Sequence, residues 1–481
     1  MGPFVYTDGH LPTTLPDLLS NTLVLRQAAP YLPVASIYAL AATSKSLHFI
    51  VHHSPEAFRY LDLSTVKSAV VPYEPLDSGG ISWRSERMDE SLTEDEFYSG
   101  PIRGIFSKLE RRMLLRCVHT LVLDGLSVPA DLVREIIAGD KFNVRILSIR
   151  EVKNLNERKL MQVLRYAVRP TRAAGTPKVK GIYFFGPRDP IPVADTPTKK
   201  KYSPIIPRGV LSSQGAQIGA EWNQKSSDAL NAELAQTDDK WYQSSGRMIV
   251  KRPSSEWAET LQACEGVIAF DAVLCRGPRH DATRALADGG SPSSFLRPSV
   301  ATVALGTAGC STCHSSPEGP GVFGHSSVSE LPLLSPLPRH SSSIRAAQMP
   351  LGFNGSRTPP LFVRCEDCLK GRWCERCHKW WDEDCYLGSA VAQRTELQQT
   401  EFSEAICDNG SSHLTTKQTI KVIGVRRDCF GCGHTCITCK ELFIRQCKTC
   451  RNEYCIEDND ASSDTKCDWC NYTSRRTVEM Y

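Results

Sequence analysis

Six Cys-x-x-Cys pairs crowd the C-terminal quarter of this chain: Cys365/Cys368, Cys374/Cys377, Cys429/Cys432, Cys436/Cys439, Cys447/Cys450 and Cys467/Cys470. Fifteen of the twenty cysteines lie between Cys365 and Cys470. Such a turn aims two thiolates at one point, and two turns complete a tetrahedral zinc site with Zn–S near ~2.3 Å. One pair is weak evidence; six so close together predict a zinc-organised domain. A catalytic zinc needs an open ligand position and a general base, as on an H-E-x-x-H helix. That motif does not occur, so the cofactor expected is structural zinc, three or four ions.

The order of the pairs suggests how they join. Cys455 and Asp458 have the spacing of a further pair, as do Asp382 and Cys385. Linking first to third and second to fourth couples 436/439 with 455/458 and 447/450 with 467/470. In the first group it couples 365/368 with 382/385 and 374/377 with 429/432. This interleaving is similar to a RING cross-brace; His378 and His434 are the alternative ligands if the carboxylates do not bind. A further zinc clip is expected upstream. Cys275 and Cys310 each follow the start of an apolar alternation (Ile268, Val303) by seven residues. Equivalent positions on stacked strands lie about 5 Å apart, which would make the two thiols neighbours. Cys313 would join them, and His280 or His314 would be the fourth ligand; two buried cysteines acting as small apolar residues are the alternative.

The elements that must hold these ligands are several. At 481 residues the chain has room for about three domains. No basic-then-apolar leader opens it and no apolar run approaches the ~18–20 residues of a membrane span, so the chain is expected to be intracellular, cytoplasmic or nuclear. There thiols stay reduced, and clustered cysteines mean metal before disulfide. The net charge of +4 is mild. Basic residues of the tail interleave with Glu366, Asp367, Glu375, Glu383 and Asp384, so nucleic acid is not the expected partner.

The N-terminal sixty residues predict three short helices. Leu15-Pro16-Asp17 opens the first with Pro and an acid in the first turn; Pro30 breaks it, and Leu32-Pro33 restarts the chain. Ile37, Leu40 and Ala41 form a second stripe, and Leu47, Ile50 and Val51 a third. So small a unit has little core of its own. Residues 11–60 resemble the F-box: Leu15-Pro16 its opening, Leu19 and Leu23 its first helix, Leu32-Pro33 its turn, Ile37 and Leu40 its second helix. The match departs at Ser36, where an acid is common, and in lacking a Trp after Lys45. The resemblance implies docking onto a Skp-type adaptor of a cullin ubiquitin ligase through Leu15, Pro16, Leu19, Leu23, Ile37 and Leu40.

Beyond the helices a period recurs. Leu121-x-Leu123-x-x-Leu126 returns as Leu147-x-Ile149-x-x-Val152, each followed by a helical stretch, at 131–138 and 156–167. Ile182-x-Phe184, Ile268-x-Phe270-x-x-Val273 and Val303-x-Leu305-x-x-Ala308 would be three more strands. Strand-then-helix units at this spacing resemble leucine-rich repeats, which bury their apolar faces by stacking. The expected fold class is thus α/β and multidomain. It comprises an F-box at 11–60, repeats at 100–186 and 256–313, and a small zinc-stabilised α+β domain at 361–475. Low apolar content marks 187–255 as an expected disordered insertion and the Ser/Pro-rich 314–360 as an expected disordered linker.

Together these parts resemble an F-box protein of the filamentous-fungal type. The resemblance implies a non-catalytic adaptor: the helices dock the ligase, while repeats and zinc tail bind a protein target whose identity is unknown. One alternative is an autonomous RING-type ubiquitin ligase, with Ile437 and Trp469 as the platform for a conjugating enzyme. The other is a zinc-dependent nucleic-acid binder.

Overall fold

The computed structural model describes residues 14–71, 93–189, 241–242, 245–281, 295–316, 318–350, 358, 360–387, 426–429, 433–457 and 462–471. The described residues begin with four short helices where three were expected, because the first is split at Asn21: α1 (Leu15–Ser20), α2 (Thr22–Ala28), α3 (Val34–Thr43) and α4 (Lys45–His53). Polar side chains start three of them: Thr14, Asn21 and Ser44 accept from the backbone N–H two or three residues on, satisfying donors a helix start leaves open. Leu19, Leu25, Ile37, Ala41, Leu47 and Val51 point inward and merge with Phe58 and Leu61. This helical unit therefore shares its core with the sheet that follows.

That sheet has five parallel strands, in spatial order β1 (Tyr60–Asp62), β2 (Thr120–Val122), β3 (Ile146–Ser148), β4 (Gly181–Tyr183) and β6 (Ala269–Phe270). Tyr60, Thr120, Ile146, Gly181 and Ala269 stand in one register row. Helices cross between strands: α5 (Glu94–Arg111) after β1, α6 (Ala130–Ala138) after β2, α7 (Glu157–Ala167) after β3 and α8 (Glu256–Cys264) before β6. Leu132, Val133, Ile136 and Ile137 give α6 one apolar face, and Leu160, Met161 and Leu164 do so for α7. Both meet Leu121, Leu147 and Ile182, which point to the helix side of the sheet. Because side chains alternate along a strand, the next row faces the other way. There Val122, Ile146 and Tyr183 pack against Leu333, Leu337 and Ala347.

This second apolar face corrects the expectation of a linker over 314–360. Leu331, Leu333, Leu334 and Leu337 are buried, Leu333 N donates to Phe270 O (2.7 Å), and Tyr183 Oη donates to Leu334 O (2.9 Å). A preformed sheet face needs few apolar residues from the segment that covers it, so low apolar content misled here. A buried polar cluster locks the cover. Arg150 donates to Asp124 Oδ2 through Nε (3.0 Å) and Nη2 (2.8 Å), to Asp189 Oδ2 (2.8 Å) and to Ser335 Oγ (2.7 Å).

Four further expectations are corrected. The alternation Val303-x-Leu305 is not a fifth parallel strand. β7 (Val303–Leu305) is the centre of an antiparallel sheet between β5 (Gly246–Arg247) and β8 (Phe362–Arg364). β5 also shows that the insertion expected over 187–255 ends earlier, with Trp241, Tyr242 and Ile249 buried in the core; 190–240 lie outside the described residues. The boundary expected at 361 disappears, since β8 pairs with β7. Finally, Leu19 (7% exposed) and Ile37 (3%) are core residues, so the sequence-derived set of partner contacts shrinks. Among the described residues no helix is long and apolar enough to cross a membrane.

The tail is small. β9 (Arg426–Cys429) pairs with β10 (Gly433–Thr435), α10 (Ile437–Phe443) follows, and β11 (Ile444–Gln446) pairs with β12 (Glu453–Cys455); the one-turn α9 (Ile344–Ala347) lies in the cover segment.

Candidate metal centres

Four groups of side chains bring ligand atoms together, the members of each within 4.8 Å of one another. In the first, the turn after Trp373 carries Cys374 and Cys377, and the start of α10 carries Cys436 and Cys439. Cys377 Sγ lies 3.6 Å from Cys436 Sγ, and Cys374 Sγ lies 3.9 Å from Cys439 Sγ. A tetrahedron with metal–sulfur bonds of ~2.3 Å has edges of ~3.8 Å, so these thiols stand where one ion would hold them. These four thiols form no disulfide. The turn is shaped by a positive φ at His378 (59°) and by backbone N–H groups of Cys377 (3.5 Å) and Cys436 (3.3 Å) directed at Cys374 Sγ. Burial pushes the Cys374 thiol up, but those N–H groups outweigh it and hold it below its ordinary value.

The second group is Cys447, Cys450, Cys467 and Cys470. Cys450 and Cys467 are 3.7 Å apart, again a tetrahedral edge. The N–H of Cys450, followed by those of Cys467 and Thr449, draws the Cys447 thiol down to about 5. That ring of donors prepares a thiolate for a cation. This pairing is the one its spacing predicted.

The third group mixes segments: Cys310 and Cys313, just after β7, meet Asp382 and Cys385. Asp382 Oδ2 lies 3.2 Å from Cys313 Sγ and 3.5 Å from Cys385 Sγ. Asp382 N also donates to Cys310 Sγ (3.3 Å), so backbone as well as side chain closes the centre.

The fourth group is Cys275, His280 and Cys365. His280 Nε2 lies 3.1 Å from Cys365 Sγ, while its Nδ1 faces Leu296 O at 3.2 Å. A backbone partner on the second nitrogen fixes the ring, as at metal-ligating histidines generally. Cys368 lies beside the set: it shares a hydrogen bond with Cys275, and that bond, with burial, pushes its thiol up. Gly277 is required here, because a Cβ at that position would overlap Cys368 Sγ. Arg372, fully buried, donates from Nη2 to Cys368 Sγ (3.2 Å) and from Nε to Cys368 O (2.8 Å).

Three of the expected pairings are overturned. Cys365/Cys368 do not join Asp382/Cys385, Cys374/Cys377 take 436/439 rather than 429/432, and Cys436/Cys439 are therefore not with Cys455. The upstream clip fails too. Cys275 and Cys310 belong to different groups, because β6 and β7 lie in different sheets; of its two candidate histidines, His280 joins a group and His314 does not. Cys432 and Asp458 lie outside the described residues, and Cys429 is described only as the last residue of β9. Cys455 is buried, with Arg376 Nη1 donating to its Sγ (3.5 Å). Sequence reasoning ranked His280 only as an option, its one signal being the C-x4-H spacing from Cys275.

The first three sets are closed, with four protein donors each, the pattern of structural rather than catalytic sites; the fourth brings together three, with Cys368 beside them. No protein family, curated protein or solved structure matches this chain. The fold and sites define a mixed α/β protein with cysteine-rich groups that could hold metal ions.

Proposed function

We propose that this chain is a non-catalytic target-recognition subunit of a Skp/cullin/F-box ubiquitin ligase, held together by structural zinc. The zinc reading is supported by donor chemistry, since tetrahedral sets of thiolate with one imidazole or carboxylate suit zinc. The parallel sheet with a helix between strands supports a short, degenerate leucine-rich repeat as target platform. The observation that carries the adaptor reading is an apolar patch, exposed among the described residues, on the first two helices and the turn after them. Leu15 (52% exposed), Leu18 (40%), Leu23 (69%) and Leu32 (38%) stand outside a helical unit whose core is already filled by Leu19, Leu25 and Ile37.

Purified Skp-type adaptor should be captured by the full chain, and Leu15→Asp with Leu23→Asp should abolish capture, since both side chains are exposed and the fold does not need them. Absent capture, or capture indifferent to the double substitution, would overturn the reading. A RING-type ligase is the second reading, favoured by Ile437 (45% exposed), Leu442 (57%) and Trp469 (81%) beside the first two metal groups. It predicts ubiquitin-chain synthesis by the full chain with activating and conjugating enzymes alone, lost on Ile437→Asp with Trp469→Ala. The full chain is the reagent required, because the tail shares two ligand groups with residues 275–313. Synthesis that persists in that variant would remove this patch as the platform.

A further inference from the structure

At the edge where the parallel strands begin, one basic side chain precedes each of four neighbours: Arg59 before β1, His119 before β2, Arg145 before β3 and Lys180 before β4. The backbone sets them in register. His119 N donates to Arg59 O (2.9 Å), Arg145 N to His119 O (2.7 Å) and Lys180 N to Arg145 O (2.8 Å). They form a ladder with rungs ~4.8 Å apart, the spacing of adjacent strands. Arg145 is exposed and the other three are half-buried.

Little acid balances this row. Glu56 lies 3.6 Å from Arg59 and 3.8 Å from Arg26; among the described residues, Arg145 and Lys180 form no ion pair. The rungs feel one another. Burial, then Arg172 and Arg145, hold Lys180 below its ordinary value, and burial, then Arg59 and Arg145, bring His119 down to about 4. His119 is therefore neutral at physiological pH. Its Nε2 lies 3.1 Å from Asn143 Nδ2, and its Nδ1 is buried without a partner among the described residues. Arg145 and Lys180, two neighbouring cations without an acid among the described residues, therefore offer this edge to an anionic group.

We propose that this strand-start edge docks an extended, anionic protein segment, phosphorylated or rich in Asp and Glu, from a partner protein. Three rung spacings span ~14 Å, the reach of four to five residues at ~3.3 Å each. The guanidinium groups of Arg59 and Arg145 match carboxylate and phosphate geometry. A duplex nucleic acid is disfavoured, because it calls for a far wider basic face, of ~1,000 Å² or more, and the whole chain carries only +4. The proposal does not depend on the adaptor reading.

The test is fluorescence anisotropy of the full-length, metal-loaded chain with a short labelled peptide of alternating phosphoserine and glutamate. Its Ser/Gln counterpart and an oligothymidylate of equal charge serve as comparisons. Saturable binding of the anionic peptide alone is expected. Arg145→Glu with Lys180→Glu should weaken it by roughly tenfold or more, since like charges placed opposite a ligand repel it. The milder Arg145→Gln, at an exposed position, should give a smaller loss, and Lys108→Glu with Arg111→Glu on α5 none. Absence of saturable binding, equal losses in the two charge-reversed variants, or oligothymidylate binding as tightly as the peptide would overturn the proposal.

Discussion

Stripping metal from the intact chain with a chelator at neutral pH is expected to unfold the tail and free it from the parallel sheet, while that sheet stays folded. The argument rests on where apolar packing is found. The sheet and its helices share one large core running from Leu19 to Cys368. Among the described residues, the last metal group is surrounded by a buried cluster of Cys447, Tyr454 and Cys467, two of which belong to the group itself. Structural zinc contributes on the order of 10 kcal/mol per site to folding, more than so small a cluster can supply. The third and fourth groups each join a segment within 275–313 to one within 365–385. Loss of their ions leaves the three strand pairs of β8 with β7 and the apolar cluster of Leu305, Phe362, Leu369 and Trp380 to hold the tail.

The measurements are metal content by mass spectrometry, tryptophan emission and limited proteolysis. At least four ions per chain are expected from the described groups, falling by one in Cys313→Ser with Cys385→Ser. After chelation the emission of Trp373, Trp380 and Trp381, now buried, should shift to the red, and cleavage should appear within 360–387. A metal-free chain that kept its emission and its protease resistance there would contradict this account.

Replacing Arg372 by Ala should cost about 3–5 kcal/mol, the usual penalty for breaking a fully buried ion pair and leaving its partner charged. Arg372 donates to Glu318 and to Trp381 O (3.2 Å), lies 3.3 Å from Glu383 Oε2, and contacts Cys368 Sγ. Its removal leaves Glu318, itself buried, with Arg364 as its remaining cation (2.9 Å). Urea unfolding of the metal-loaded variant measures the loss. Arg372→Lys keeps the charge but not the fork and should fall between; a loss below ~1 kcal/mol, typical of a surface pair, would mean the network is not load-sharing.

The same network has a pH sign. Burial raises the Glu318 carboxyl, but Arg372 and Arg364 outweigh it and hold it below the ordinary carboxylate value. A depressed carboxylate contributes stability that is present above its unfolded pKa and lost as pH falls through the folded one. Acid should therefore narrow the stability gap between wild type and Arg372→Ala.

How much of this was legible in the residues follows from what each signal measures. A Cys-x-x-Cys turn is local, so the sequence by itself marked the ligand-bearing turns, and it marked the strands around Leu121, Leu147 and Ile182 because alternation is local too. The helix start at Leu15-Pro16-Asp17 was likewise visible. Which turns share an ion was decided only in three dimensions: Cys275 and Cys365, ninety residues apart in sequence, meet because β8 returns beside β7 and the loop at Gly277 folds over Cys368. The burial of Leu19 but not Leu15, and the folding of Leu331 to Leu337 onto the open sheet face, were tertiary decisions of the same kind. Spacing can say that a residue lies on an apolar stripe or in a metal-binding turn. It carries no information about which distant surface will cover the stripe or complete the tetrahedron, because that depends on contacts whose loop-closure cost is met only when the whole core assembles.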